Sequence, residues 1–326
     1  MNSQAATELA PHLRLADWQR RFTRFAWALL GYTLLVILFG AVVRITGSGA
    51  GCGQHWPSCN GALLQMPQTL KTTIEYTHRA TSALSVFAII ALLVAAFRMY
   101  PAGHAVRAAA AMAGVMILVE ALIGALLVKL RLVENDASFA RIVVLPLHLI
   151  STALLTGALT WCAWFSSRQP APAGAKPVPP AAWALLFLAG LGLLLVSATG
   201  AITALGDTVY PVQHSGLAAR LQADQGQNAS LLQNLRDFHP FLAVGVAAFM
   251  TYVAMLIPGY RRGSTVRRAS QCLAVAVCFQ VMAGVVNIWL SAPGPMQVVH
   301  LLLANLAWIA VIVLAAALRS APVSAP

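Results

Sequence analysis

Residues 75–97 read EYTHRATSALSVFAIIALLVAAF, in which a polar start carrying His78 leads into an apolar run. An apolar run of about 20 residues is the length that crosses the hydrocarbon core of a bilayer. Backbone groups in lipid must bond within their own segment, so segments this long indicate helices rather than barrel strands. The chain contains seven more apolar segments of similar length. The eight segments lie at roughly 25–44, 75–97, 106–128, 142–165, 182–205, 238–257, 269–290 and 297–318. The sequence therefore predicts an all-α integral membrane protein with eight transmembrane helices.

The composition excludes an ordinary soluble domain. Of 326 residues, 59% are hydrophobic and only 9% are charged, whereas soluble domains carry about 25% charged residues. Most of the Lys and Arg residues behind the net charge of +12 lie in the N-terminal segment and in alternate connections between helices. Such a bias marks the cytoplasmic side of a membrane protein, so both termini are expected in the cytoplasm. The excess of Lys and Arg therefore reflects the orientation of the protein in the membrane, and no nucleic-acid partner is predicted.

The chain divides into two halves with related patterns. Residues 169–180, rich in Pro, Ala and Gly, are interpreted as a linker between an N-terminal half, 1–168, and a C-terminal half, 181–326. The first helix ends GAVVRITGSG and the fifth ends TGAITALGD. In addition, Glu120 precedes a glycine by four residues in the third helix, as Gln280 does in the seventh. These similarities predict two pseudo-repeated four-helix bundles, related as parallel repeats.

Four histidines stand out because each lies near the start of an apolar segment that begins on the same face of the membrane. They are His78, His148, His239 and His300. A lone interfacial histidine is usually structural, but four at matching positions favour a shared role. Paired imidazoles on separate helices are suited to hold a haem iron, so one haem site is expected in each half. The other histidines, His12, His55, His104 and His214, lack this pattern and are expected to be solvated.

Several charged residues near these histidines have two interpretations each. Glu75 and His78 share a helix face, where the carboxylate could move protons or anchor the helix at the headgroups. Glu120, inside the third helix, could belong to a proton path or bond within the bundle. Arg44 and Arg79 could pair with haem propionates or extend to lipid phosphates.

The first outer loop contains Cys52 and Cys59 in the run GCGQHWPSCNG. A disulfide that folds this loop is favoured, because the outer compartment is oxidising. A metal pair and a redox-active dithiol are the alternatives, the first weakened by the lack of a second pair. Cys162, Cys272 and Cys278 lie within helices and are expected to be small core residues.

Taken together, these motifs resemble those of haem A synthases. The resemblance rests on Arg44-Ile-Thr-Gly-Ser-Gly, then Cys52, Trp56-Pro57 and Cys59-Asn60-Gly61, then Glu75-Tyr76-Thr77-His78-Arg79. It extends over nearly the whole chain, with the first half the more specific part. It implies an oxidoreductase that converts the C8 methyl of haem O to a formyl group, giving haem A for terminal oxidases. In the family the methyl is thought to be hydroxylated twice, and the resulting gem-diol loses water.

The resemblance also implies roles for single residues. His239 and His300 would ligate a haem B cofactor, while His78 and His148 would hold the haem O substrate. Glu75 would be the acidic group at the reacting centre, and Cys52 and Cys59 match a loop disulfide of some members. The chain departs from the family in lacking a second cysteine pair after the fifth helix, and in carrying the charged Glu120.

The charge bias that puts both termini in the cytoplasm also puts the histidine sites toward the outer, periplasmic face of a bacterial inner membrane, which a multi-pass protein of this kind would cross. Its expected partners are membrane lipid and haem O. A haem O synthase, an unidentified electron acceptor and a second copy of the chain are further candidate partners.

Other classes of protein remain as alternatives. The first is a di-haem cytochrome b-type quinol oxidoreductase, which would use all four histidines for permanent haems. The second is a non-enzymatic haem exporter or transporter, although transporters bind substrate near the midplane. A di-iron carboxylate enzyme is the third, suggested by Glu75 and His78, but such sites need further glutamates.

Overall fold

The structure, a computed structural model, describes residues 3–63, 68–168, 177–211, 222 and 231–320. This part of the chain forms eight long helices. They are α1 (Ser3–Ile45), α2 (Leu70–Met99), α3 (Ala105–Lys129), α4 (Phe139–Phe165), α5 (Pro180–Val209), α6 (Leu231–Tyr260), α7 (Ser264–Trp289) and α8 (Gly294–Ser320). All eight are long and apolar enough to cross a membrane, with α1 qualifying over Asp17–Ile45. The predicted all-α, eight-span membrane fold is confirmed.

Several helices begin before the apolar segments that predicted them. α2 begins at Leu70 because the side chain of Thr69 accepts a hydrogen bond from the backbone N–H of Thr72 and caps the first turn. Ser138 caps α4 in the same way, and α5 starts with Pro180 at its first position. Capping side chains before α2 and α4, and a proline at the start of α5, therefore let these helices begin before the apolar segments.

Helix contacts close each half into a ring. α1 packs on α2, α2 on α3, α3 on α4, and α4 again on α1; α5 to α8 form a second ring in the same order. α4 also contacts α5 and α8, and α1 contacts α8. The two bundles thus meet along α1, α4, α5 and α8, while the symmetry of the sequence repeat stays a prediction. Most of the proposed linker, residues 169–176, lies outside the described residues.

Trp308 on α8 fastens the two bundles together. Its indole Nε1 donates a hydrogen bond of 2.6 Å to the backbone carbonyl of Ala153 on α4. Gly157 on α4 and Gly190 on α5 give the ring room, since a Cβ at these positions would lie 3.2 and 3.6 Å from its atoms. The core is continuous through this contact and includes buried residues of both halves.

Candidate functional site

The four predicted histidines lie on α2, α4, α6 and α8, each about two turns from the start of its helix. All four residues are partly buried. His78 and His148 lie on α2 and α4 of the first bundle, and His239 and His300 lie on α6 and α8 of the second. The structure therefore brings the histidines together in the two couples that the sequence suggested, one in each bundle.

Three of the four imidazoles lie against a glycine of the preceding helix. A Cβ at Gly40, Gly200 or Gly284 would lie 3.1–3.3 Å from ring atoms of His78, His239 or His300 respectively. Such contacts are tighter than ordinary van der Waals packing, so only glycine gives these rings their present positions. Gly124 on α3 is the exception, because its added Cβ would meet nothing within 4 Å. Sequence reasoning noticed these glycines as repeat markers but missed this contact.

The ring nitrogens fit a role as iron ligands. Nδ1 of His78, His148 and His300 is buried without a hydrogen-bond partner among the described residues. Nδ1 of His239 lies 3.0 Å from the Thr199 hydroxyl. Buried polar atoms without partners are costly in a protein interior. Half-buried imidazoles are donors that haem iron takes.

Glu75 is buried, with both carboxylate oxygens engaged. Arg79, one turn further along α2, donates to Oε1 through Nη2 and, at 3.1 Å, through Nε. The backbone N–H of Cys52 donates to Oε2 at 2.7 Å. Arg79 Nη1 also bonds the carbonyl oxygens of His55 at 2.5 Å and Ser58 at 2.7 Å. This cluster of Glu75 and Arg79 ties the first outer loop to the helix that carries His78.

Cys52 and Cys59 form the predicted disulfide. Both are buried, and the loop around them packs closely on α2. A Cβ at Gly51 would lie 2.6 Å from the carbonyl carbon of Lys71, so glycine is required there. The hydroxyl of Thr72 donates to the Gly51 carbonyl at 2.9 Å. The bond therefore fixes a loop that covers the start of α2.

Arg44 binds the opposite bundle rather than extending toward lipid. Its Nη1 donates to the carbonyl of Ala204 at 2.8 Å and to the Thr208 hydroxyl at 2.6 Å, and its Nη2 donates to the side chain of Gln297 at 2.7 Å. The end of α1 therefore lies beside the end of α5 and the start of α8. Sequence reasoning considered only propionates and lipid as partners of Arg44 and Arg79, and missed these contacts within the protein.

With this geometry in place, comparison with known proteins identifies the family. The family of cytochrome oxidase assembly proteins called COX15-CtaA matches residues 23–312. The chain belongs to the COX15-CtaA family. The match covers both bundles and all four histidines, in agreement with the resemblance found from the sequence.

Individual relatives of this COX15-CtaA member carry two different names. "Protoheme IX farnesyltransferase" of Thermus thermophilus is 39% identical over 307 residues, which are 93% of this chain and 49% of the relative. "Heme A synthase" of Staphylococcus carnosus is 39% identical over 100 residues, 31% of this chain and 30% of the relative. "Heme A synthase" of Bacillus mycoides is 34% identical over 107 residues, 32% of this chain and 34% of the relative. The chain spans about half the length of the Thermus relative.

The structure of this COX15-CtaA member corrects the burial predicted from the sequence for some histidines and cysteines. His104 is half-buried rather than solvated, because its Nδ1 accepts a hydrogen bond from Val106 N–H at the start of α3 and its ring stacks on Tyr100. Burial lowers the pKa of His104, which favours the neutral form that can accept this bond. Cys272 and Cys278 are exposed on α7 rather than in the core, while Cys162 is buried as expected. His55 is exposed, and His214 lies outside the described residues.

Within the described ranges of this COX15-CtaA member, no group of three or more His, Cys, Asp and Glu side chains converges as a metal-ion site.

Proposed function

We propose that this protein is a haem A synthase, which oxidises the C8 methyl group of haem O to a formyl group. The observation that carries the proposal is the arrangement of four half-buried imidazoles in two couples, one in each bundle of a COX15-CtaA family member. The name "Heme A synthase" given to relatives that match about a third of the chain supports it.

The two bundles are assigned different occupants. His239 and His300 hold haem B as the cofactor, and His78 and His148 hold haem O as the substrate. Haem B supplies a one-electron redox centre that can relay electrons away from the substrate. Gly200 and Gly284 let the imidazoles of His239 and His300 lie directly against the neighbouring helix, because any side chain at these glycines would push the rings away. Gly40 does the same for His78 in the substrate bundle.

Glu75 is assigned to the reacting centre as the acidic group that binds or deprotonates an intermediate. Its burial and the fixed partners Arg79 and Cys52 N–H hold the carboxylate in one place, one helical turn from His78. A fixed carboxylate needs little reorganisation when a proton or a hydroxyl group is presented to it. The same bonds make Glu75 an anchor of the disulfide loop, so its test must separate the two roles.

We assign both termini to the cytoplasm of a bacterium and the histidine couples to the outer side of its inner membrane. The charge bias between alternate connections supports this orientation. Haem O is a farnesylated, water-insoluble substrate, and a site within a helix bundle lets its tail remain in lipid. The partners proposed are a haem O synthase that supplies the substrate and an electron acceptor that takes up the electrons removed from the methyl group.

Farnesyl transfer is the second candidate, because the Thermus relatives carry the name "Protoheme IX farnesyltransferase". Displacing a diphosphate from a prenyl donor calls for divalent cations, which proteins hold with carboxylate groups. This chain has only nine Asp and Glu residues, and within the described ranges no three metal-binding side chains converge. Half of each Thermus relative lies outside the match, so their name alone does not extend farnesyl transfer to this chain.

The test is chromatography of the haems bound to purified protein, made in cells with and without a haem O-producing enzyme. Haem A is expected only when haem O is supplied, and haem B is expected in both cases. His78→Ala or His148→Ala should abolish haem A, whereas His239→Ala should mainly lower haem B content. Colourless protein would contradict the proposal. Two haem B groups per chain that are rapidly reduced by quinol would instead indicate the di-haem quinol oxidoreductase.

Glu75→Gln separates catalysis from loop anchoring. The amide oxygen can still accept the bond from Cys52 N–H, but the charge that pairs with Arg79 is lost. If the carboxylate acts in the reaction, haem A falls while haem B content and resistance of the loop to protease stay unchanged. Haem A production at the normal rate would remove Glu75 from the mechanism. Loss of haem A together with a protease-sensitive loop would reassign it as a loop anchor.

A further inference from the structure

Glu120 is a carboxylic acid within α3, away from both ends of the helix. Its Oε2 accepts a hydrogen bond of 2.7 Å from the Thr152 hydroxyl, and its Oε1 accepts one from the Ser151 hydroxyl, both on α4. An ionisable group inside a membrane span is costly and is usually kept for a function. The two hydroxyls hold the carboxylate against α4, which is the helix that carries His148.

The third neighbour of this carboxylate is His148 itself. Nδ1 of His148 lies 3.2 Å from Oε2 of Glu120, although the angle is not that of a hydrogen bond and the nitrogen is buried without another partner. A small rotation of the ring turns the contact into an Nδ1–H···carboxylate bond. An imidazole that binds a metal through Nε2 keeps a proton on Nδ1, and a carboxylate at that position fixes its orientation and increases its basicity.

The other bundle has a neutral group beside its corresponding histidine. Gln280 on α7 has its amide Nε2 3.2 Å from Nε2 of His300. Like Glu120, Gln280 lies four residues before a glycine. The sequence identified Glu120 as a departure from the family pattern, and the structure shows what the departure touches. The two contacts differ in position, because Glu120 lies at Nδ1 of His148, whereas Gln280 lies at Nε2 of His300. Among the described residues, only the first bundle therefore has a carboxylate at Nδ1 of this histidine, since Nδ1 of His300 is buried without a partner.

We propose that Glu120 is a positioning residue for His148 that makes the first bundle's iron site a stronger electron donor than the second. A carboxylate that accepts a hydrogen bond from Nδ1 of a metal-binding imidazole would make that imidazole more basic, which favours ferric over ferrous iron and lowers the reduction potential. His300 has no such carboxylate at Nδ1 among the described residues, so the second bundle's iron site would have the higher potential. Electrons therefore flow from the substrate bundle to the cofactor bundle, which is the direction needed to oxidise a methyl group. The inference rests on the haem sites of the proposed function.

The test is a spectroelectrochemical titration of the full-length protein with haem bound in both bundles. Glu120→Gln is expected to raise the midpoint potential of the first bundle's haem and leave the second unchanged. Outer partners of metal ligands typically alter metal binding about tenfold to a hundredfold. A tenfold change in the ratio of ferric to ferrous affinity is about 59 mV for a one-electron couple. A merely structural link between α3 and α4 would change thermal stability without this selective shift.

The matched control is Glu134→Gln, which removes a carboxylate from the surface ion pair with Lys71 and is expected to leave both potentials unchanged. Glu120→Asp keeps a carboxylate but draws it back from Nδ1 of His148; it is expected to raise the same potential by a smaller amount and carries the test if Glu120→Gln does not fold. Unchanged potentials in Glu120→Gln, or in Glu120→Asp where that variant carries the test, overturn the inference while the proposed function stands. Purified protein that binds no haem overturns both.

Discussion

Replacing Gly200 by alanine should weaken haem B binding while leaving the protein folded. An added Cβ would lie 3.1 Å from Cε1 of His239 and 3.6 Å from its Nδ1. Non-bonded carbon atoms prefer separations of about 3.5–4.0 Å, so the ring must retreat by roughly half an ångström. Crowding of this kind costs about 1–3 kcal/mol, and the better helix propensity of alanine returns about 1 kcal/mol. The net cost is small compared with the stability of a folded domain.

The effect on the ligand is larger than the effect on the fold. An imidazole displaced in this way would be badly placed to share an iron with His300, and haem B affinity should fall about tenfold or more. The assay is haem B per polypeptide after purification, with the rate of haem loss to a scavenging apoprotein and the thermal unfolding midpoint measured on the same samples. Gly31→Ala and Gly245→Ala are the controls, because both glycines are exposed and an added Cβ meets nothing within 4 Å.

The reasoning is refuted if Gly200→Ala retains haem B with the wild-type spectrum and rate of loss. It is also refuted if the control variants lose haem to the same extent, because the effect would then come from alanine in a membrane helix rather than from contact with His239.

Three further predictions concern other contacts. Gly284→Ala should lower haem B content, because its Cβ would lie 3.2 Å from a ring carbon of His300. Gly124→Ala should leave haem content unchanged, because its Cβ would meet nothing within 4 Å. Equal losses of haem in the two variants would show that contact with the histidine ring is not the cause. Arg79→Ala should destabilise the protein by about 3–5 kcal/mol, because it leaves the Glu75 carboxylate buried without its partner, and a thermal unfolding midpoint equal to wild type would contradict this. Arg44→Ala should make the two bundles unfold in separate steps during calorimetry, whereas one cooperative transition would show that the remaining contacts suffice.

The sequence predicted the number and type of helices because apolar length alone decides whether a segment can cross a bilayer. It could not predict where α2 begins, since Leu70 to Ile74 are helical through the Thr69 cap rather than through apolar character. It also misplaced Cys272 and Cys278, because a membrane helix is apolar on all sides and hydrophobicity no longer identifies its buried face.

The sequence also identified the four histidines, through their repeated place at the start of a span. Their neighbours were harder to predict, because Gly200 and Glu120 act through helices that are separated in the chain from the histidines they contact. The glycines were visible as repeat markers, and their place on the helix before each histidine was the signal that could have revealed the contact. The Arg44 contacts span 160 to 253 positions, so no local pattern could indicate them.

The indole of Trp308 limits how this molecule can move. Its bond to Ala153 and its fit against Gly157 and Gly190 would be broken if one bundle rocked against the other, as the repeats of alternating-access transporters do. In the proposed function, haem O is therefore expected to enter from the lipid between neighbouring helices of one bundle, and not through the interface between the two bundles.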